Sequence, residues 1–486
     1  MSVLPEPGAA AGVGALTAFR AGFYQCLTAR ADILFDPAEA LLCQSGPVTS
    51  LPALSLSGVF RRGHGALYDA LGAGQVDTNH LRDLLAGQTI GRVGGRIVLA
   101  VDVTNWLCPD ANRSPDRLFC HVYGRGRSAD QFIPGWPYSM VAALESGASS
   151  WTQILDAARI GPDDDVQAVT AGQVRSVVER LIAAGQHAIG DEPILVVADA
   201  GYNAARLAWC LRDLPVTVTA RVRSDRVFYA RPKHQVTAGG RGGRAPKHGT
   251  AHRLSEPDSW ETPTRITACN NARYGRLEAK SWDRLHPRLT QRSAWIDAGA
   301  QLPVLDGTLT RLTVDHLPHD GSPKPVWLWT SAAGLSETEL DGIWTGWLRR
   351  FDIEHTFRFL KQTLGCTTSR PRTPAQADLW TWLVIAAFTQ LRIARTLVAD
   401  LRLLWEAPAE LGKLTPARVR RGFANLRLDL DCPARAPKPS RPGPGRPKGR
   451  RNTRRAPVYD PGKTTKRDRN LTQRKKPLKV TKPSTS

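Results

Sequence analysis

The run IVLAVDV at Ile97–Val103 decides the fold. Six of its seven residues are apolar and none alternates with a polar partner, so it reads as a strand buried on both faces. ILVVA at Ile194–Ala198 is a second run of this kind. Between them, RLFCHVYGRG (117–126) and the stretch around WPYSMVAAL (136–144) read as further strands. Thr170, Val174, Val177, Val178, Leu181 and Ile182 then recur at helical spacing. After Ile194–Ala198 come a short helix in AARLAWCLRDL and a strand at Val216–Val222 (VTVTARV). The order is three strands, a helix, a strand, a helix and a strand, which is that of an α/β domain.

Outward from this segment the pattern changes in both directions. The N-terminal ninety residues read as helical: LTAFRAGFYQCLTARADILF and the pair GHGALYDALGAG and DTNHLRDLLAG space apolar residues three and four apart, with glycines between. A small DNA-binding module and a helical cap domain both have this pattern. From Arg223 to Ala333, short β-like runs (RVFYA, RLEAKSW, TLTRLTVDHL, PVWLWTS) alternate with Gly, Pro and Asp turns, predicting a β-rich subdomain. Within it, residues 231–253 are Gly-rich, basic and free of acids, the makeup of a flexible loop that serves either as a solvated linker or as a contact to DNA backbone. Helical patterns return over Glu337–Phe423; in TPARVRRGF, Thr415 suits an N-cap and Pro416 the first helical position. WTWLVIAAFTQL (Trp380–Leu391) suits a buried helix, being shorter than the ~18 apolar residues of a membrane span.

The 486 residues are 42% hydrophobic and 23% charged, which excludes a wholly disordered chain and suits about three domains. Eight scattered cysteines with no CxxC pair argue against a zinc ribbon or a disulfide scaffold. The first thirty residues lack a charged start followed by an apolar stretch and cleavage site, so a cytoplasmic protein is expected. The net charge is +22, and residues 433–486 alone hold 18 basic against 2 acidic side chains. This Pro-, Lys- and Arg-rich tail predicts disorder and a polyanionic partner, nucleic acid first.

Three carboxylates stand out. Asp102 lies inside the apolar run IVLAVDV, where a carboxylate is desolvated unless paired or bound to a cation. Asp199 ends the second run, in VVADAGYN, with Gly201 just beyond. Glu354 lies in WLRRFDIEHTFRFLKQTLG (347–365). On a helix of ~100° per residue, Ile353, Phe357, Leu360 and Leu364 share one arc of ~60° and form the core stripe. Trp347, Arg350, Glu354 and Lys361 share an adjacent arc, a polar strip in which Arg350 and Glu354 are also spaced for an i, i+4 ion pair. Lys361 is a distinctive choice: the first 432 residues contain six lysines against 42 arginines, and a compact ammonium suits a phosphate.

Asp102, Asp199 and Glu354, with Trp347-x2-Arg350-x3-Glu354-x6-Lys361, resemble the DDE transposases of bacterial insertion sequences, and within them the group marked by Tyr-x2-Arg-x3-Glu-x6-Lys, the insertion sequence 4 family and its relatives. The spacing matches at all four positions, and Trp347 stands where that family has Tyr, keeping an aromatic face without the hydroxyl. The resemblance covers about residues 96–366. It implies an RNase H-like catalytic core interrupted by a β-rich insertion, divided here as a helical N-terminal domain (1–95), core (96–222), insertion (223–334), Glu-bearing core helix (335–368), helical C-terminal region (369–432) and disordered basic tail (433–486). It implies two Mg²⁺ or Mn²⁺ ions per site, suited to oxygen-only ligands, with Asp102 bridging and Asp199 and Glu354 holding one ion each. Arg350 and Lys361, with Trp347, would hold phosphates, and Trp327 is the candidate for an aromatic of the insertion that holds a flipped base. The expected activity is cleavage at transposon ends and joining to target DNA, by a homodimer on paired inverted repeats. An RNase H-like nuclease unconnected with mobility, and a transposase derivative that only binds DNA, remain alternatives. In the tail, PGPGRPKGRR (442–451) resembles an AT-hook with Arg446 as the inserted side chain.

Overall fold

In the computed structural model the described residues are 7–122, 131–147, 149–232, 246–271, 274–289, 302–317, 323–410, 412–438, 449 and 456–461. Among them two units separate: one comprises 7–163, 172–197 and 345–461, the other 164–171 and 198–344.

The first unit opens with helices α1 (Pro7–Cys26), α2 (Ala31–Cys43), α3 (Leu51–Ser55), α4 (His64–Ala73) and α5 (Thr78–Ala86), with β1 (Leu27–Ala29) and β2 (Gln75–Val76) paired between them. The apolar spacing sets the core directly: Leu16, Phe19 and Phe23 of α1 and Leu34, Phe35 and Leu41 of α2 are fully or almost fully buried. Arg20 and Glu39, both buried, pair between α1 and α2. Asp77 caps α5 by accepting the Asn79 and His80 amides.

Then come β3 (Val98–Leu107), β4 (Leu118–Val122), β5 (Gln131–Leu144), β6 (Thr152–Arg159), α6 (Val166–Ala183) and β7 (Ile194–Ala198). The long β5 runs antiparallel to β3 from Leu99↔Ala143 to Leu107↔Gly135. Its other edge takes β4 along its first residues and β6 along its last, and β7 lies on the far side of β3. The local order is therefore β6–β5–β3–β7. β6 carries no strand signature in the sequence. Its residues TQILDA are buried whether polar or apolar, so no two-residue alternation marks it. The polar ones find partners inside the protein: Thr152 with Thr356, the Gln153 amide N–H with the Leu85 carbonyl, and Asp156 with Arg82 and Gln173. Val174, Val177, Val178 and Leu181 of α6 are buried as expected, whereas Ile182 is exposed.

The second unit contains α7 (Ala204–Cys210), β8 (Val216–Val222), β9 (Val227–Tyr229), β10 (Ala251–Arg253), β11 (Arg265–Asn271), β12 (Gly275–Pro287), β13 (Gly307–Val314) and β14 (Val326–Thr330). Its strands run β10–β9–β12–β13–β14–β8, with β11 also on β12, and each of these pairings is antiparallel. The basic stretch expected to be a flexible loop, 231–253, in part forms β10; its residues 233–245 lie outside the described ones.

Helix α8 (Glu337–Leu348) leads back to the first unit and to α9 (Phe351–Gln362), α10 (Pro374–Ala394) and α11 (Pro416–Leu426). Around α10 every side chain from Leu379 to Leu391 is buried, as its largely apolar sequence requires. Among the described residues no helix is long and apolar enough to cross a membrane. Thr415 does precede α11 with Pro416 at its first position, but its hydroxyl caps no amide. Part of the basic tail departs from the expected disorder: the Tyr459 amide donates to the Asn112 carbonyl, and Arg117 to the Tyr459 carbonyl. Arg446 and the Gly-Arg-Pro core around it lie outside the described residues.

Candidate active site

Asp102 sits where β3 leaves the core. Val98–Val101 are fully buried and the next four residues only partly so. The strand's apolar run thus carries the backbone out of the interior and presents a carboxylate at its margin. Oδ1 accepts the Val103 amide at 2.8 Å, and Oδ2 is 3.6 Å from Nη1 of Arg350.

Arg350 stands at a break in a stretch whose apolar spacing predicts one continuous helix. Residues Arg349 and Arg350 form a turn between α8 and α9. The amides of Arg350, Asp352 and Ile353 bond to the third residue before them, on Trp347, Arg349 and Arg350, a tightened 3₁₀-like turn. Trp347 and Glu354 consequently belong to different helices, and the shared arc holds only within α9. There it holds well: Ile353, Leu360 and Leu364 are fully or nearly fully buried and Phe357 is 8% exposed.

The break is held by contacts the sequence did not disclose. Arg349 donates to the carbonyls of Gly147, Glu145 and Ser149, which tie it to the β5–β6 turn, and it pairs with Asp352 at 2.8 Å. Thr356 on α9 and Thr152 on β6 share a buried hydroxyl hydrogen bond of 2.8 Å. Two arginines in succession, one clamping the turn and one facing the acids, are the only sequence mark of this arrangement.

The Arg350 side chain, 4% exposed, lies between two acids, with Nη2 3.2 Å from Oε1 of Glu354 as well as Nη1 near Asp102. Its guanidinium carbon is 4.8 Å from the Phe351 ring centre and 6.0 Å from that of Trp347. Trp347, 2% exposed, serves as a wall for the guanidinium and presents no surface to a large ligand. Glu354 is half exposed, so one acid of the pair faces solvent while the other is largely enclosed.

Lys361 lies two turns further along α9. Burial pulls its ammonium below the ordinary lysine range, against the opposing pull of Cys366, Cys120 and Asp102. Burial pushes the Cys366 thiol up to about 11 and the Cys120 thiol up to about 12. Among the described residues Lys361 makes no ion pair or hydrogen bond. A desolvated cation in no close ion pair, its acidic neighbour Asp102 already held by arginine, suits an incoming anion.

Asp199 and Trp327 belong to the second unit. Asp199 directly follows the last residue of β7, and its carbonyl accepts the Tyr202 amide in a turn. Its Oδ1 is buried with no hydrogen-bond partner, the kind of orphaned oxygen that calls for a cation or a proton donor. Trp327, 4% exposed, packs among His252, Trp260 and Trp282 at ring distances of 5.1–6.0 Å, the role of a core aromatic. Among the described residues no three His, Cys, Asp or Glu side chains are arranged to hold a metal ion. The structure thus joins Asp102, Arg350 and Glu354 into one cluster bordered by Trp347 and Lys361.

The family model described as DDE superfamily endonuclease matches residues 22–288, more than half of the chain. The chain belongs to the DDE superfamily of endonucleases. The match includes Asp102 and Asp199 and ends before Glu354. No curated protein matches the chain.

Proposed function

We propose that the chain is a DNA transposase of the insertion-sequence type, binding the ends of its element and carrying out strand cleavage and strand transfer. The observation that carries the reading is the cluster Asp102–Arg350–Glu354 with unpaired Lys361 beside it, in a chain of the DDE endonuclease superfamily. The spacing from Trp347 to Lys361 supports membership of the insertion sequence 4 group. The strand order β6–β5–β3–β7, three antiparallel strands with a fourth entering beside the first after a helix, supports an RNase H-like core, and the antiparallel second unit suits the role of the insertion. The domain limits follow as given from sequence.

Endonucleases of this superfamily generally use divalent metals. The donor chemistry here fits such ions: the three acids offer oxygen alone, and one buried oxygen of Asp199 lacks a partner. Asp102, Asp199 and Glu354 would hold Mg²⁺ or Mn²⁺, and the bound ions would activate the attacking hydroxyl and relieve charge on the leaving oxygen. The protein's own groups do the rest. Arg350 neutralises Asp102 and Glu354 until DNA enters, then turns to a backbone phosphate. Lys361 supplies a second positive charge to the DNA beside the cut. Trp347 holds the Arg350 guanidinium in register. The partners are double-stranded DNA with terminal inverted repeats and target DNA, bound by a homodimer in a bacterial cytoplasm, with the tail and Arg446 adding grip on the duplex. Trp327 acts from within the aromatic cluster rather than by stacking on a base.

Incubation of the full chain with Mg²⁺ and duplexes carrying candidate inverted repeats tests this reading. Cleavage at the ends followed by joining to a second DNA is expected. Cleavage without joining would leave a nuclease, and binding without either would leave a DNA-binding protein.

A further inference from the structure

The second unit contains an open cleft of about 620 Å³ that the active-site cluster does not use. Arg221 of β8, Arg311 of β13 and Lys324 just before β14 line it, together with Trp260, Trp327 and Ala200, the residue after Asp199. Among the described residues none of these three cations makes an ion pair or a side-chain hydrogen bond. Asp225, also in the lining, is already neutralised by Arg223 at 2.7 Å. Arg311 is braced rather than paired, its guanidinium carbon 5.4 Å from the Trp260 ring centre. Three like charges around one hollow repel each other, and the arrangement is favourable only when a polyanion supplies the counter-charge.

We propose that this cleft binds the sugar–phosphate backbone of double-stranded DNA through Arg221, Arg311 and Lys324. The aromatic groups point to charge rather than stacking as its mode of recognition. Trp327 is 4% exposed, and Trp260 lies parallel to His252 at 5.9 Å, donates its indole N–H to the Arg253 carbonyl and carries Arg311. Both rings are engaged by the protein itself, so the cleft reads phosphates without regard to sequence. The inference rests on the nucleic-acid reading above and adds to it a second contact region outside the cluster of acids.

The test is the salt dependence of binding, measured by fluorescence anisotropy with the full chain and a labelled random-sequence duplex in the absence of divalent ions. The triple variant Arg221→Gln, Arg311→Gln, Lys324→Gln should lower the slope of log K against log salt by roughly 2 to 3, at about 0.9 per lost phosphate contact. Matching circular dichroism and thermal midpoint establish that it folds. A control triple variant, Arg253→Gln, Arg276→Gln, Arg284→Gln, removes three arginines that already have acid partners. An unchanged slope in the cleft variant, or an equal fall in the control, overturns the proposal. A wild-type protein that cuts transposon ends while the cleft variant keeps its slope refutes the cleft alone. A wild-type protein that never cuts, yet loses slope with the cleft variant, refutes the transposase reading alone.

Discussion

Substituting Arg350 by Gln separates two roles that the geometry combines in one side chain. The guanidinium stands 3.6 Å from Asp102 and 3.2 Å from Glu354, so an ion that binds both acids must first displace it. At an effective dielectric of ~20 the bare attraction is about 5 kcal/mol for each pair. Solvent removes most of this, because Glu354 is 50% exposed and Asp102 25%, and screened pairs are worth about 1 kcal/mol each. Arg350 therefore sets a barrier of about 2 kcal/mol, roughly thirtyfold in ion affinity. The assay is thermal unfolding of the full chain against a Mg²⁺ titration, without DNA. Arg350→Gln should lower the metal-free midpoint, since two carboxylates lose their shared cation. Its Mg²⁺-induced rise in midpoint should begin at roughly thirtyfold lower concentration than in the wild type. Adding Asp102→Asn to the variant should remove that gain. If both proteins respond to Mg²⁺ over the same concentrations, Arg350 does not compete with the ion and the reasoning fails.

Other outcomes follow from the same arrangement. Asp102→Asn, Asp199→Asn and Glu354→Gln should each abolish Mg²⁺-dependent cleavage while retaining most end-DNA affinity; full cleavage by any one of them removes that residue from the site. Lys361→Ala should reduce the salt slope of binding by roughly one contact, and an unaltered slope would exclude a phosphate there. In the second unit, His248 Nδ1 and His286 Nε2 share a hydrogen bond of 2.9 Å, next to Asp306, Arg231, Arg288, Lys247 and Tyr229. Burial and the neighbouring His248 pull His286 down from 6.5 to about 4. The unfolded chain then takes up the proton first, so this contribution is intact above pH 6.5 and lost as pH falls toward 4. Hydrogen-exchange protection of β9 and β12, corrected for the intrinsic pH dependence of amide exchange, should fall over that interval, and His286→Phe should flatten the dependence.

Much of the fold was legible because burial on both faces leaves an unmistakable mark: Ile97–Val103 and Ile194–Ala198 became β3 and β7, and the stripe Ile353, Phe357, Leu360 and Leu364 became the buried side of α9. β6 was hidden for the converse reason. A strand whose Thr, Gln and Asp are all buried and bonded inside the protein has no polar face to alternate. The break between α8 and α9 was hidden because no Gly or Pro marks it; Arg349 imposes it through carbonyls on the β5–β6 turn, a contact some two hundred residues distant in sequence. Asp102 is legible from the apolar run around it and Glu354 from its helical spacing, yet that Arg350 bridges the two is visible only in three dimensions.

The arginine excess explains why Lys361 stands apart. Many guanidinium groups of the first unit are engaged by acids: Arg20 and Arg427 on Glu39, Arg61 and Arg62 on Asp36, Arg392 and Arg395 on Glu145, Arg418 on Asp400. A planar fork that loses little entropy per hydrogen bond is the better side chain for holding helices together, and this chain uses it for that purpose. Such arginines add to the formal charge but offer little to a polyanion. Lys361 and, around the cleft, Arg221, Arg311 and Lys324 are among the described cations without acid partners, and these are the ones the proposed DNA contacts draw on. Two of these four are lysines, in a stretch of 432 residues that contains only six. Lysine is retained where the partner must arrive and leave, since a point charge on a flexible stem binds phosphate without fixing its direction. Lys361→Arg should accordingly drive the side chain into a permanent ion pair with Asp102, raising stability while weakening DNA binding. A gain in DNA affinity from that substitution would contradict the division of labour between the two cations.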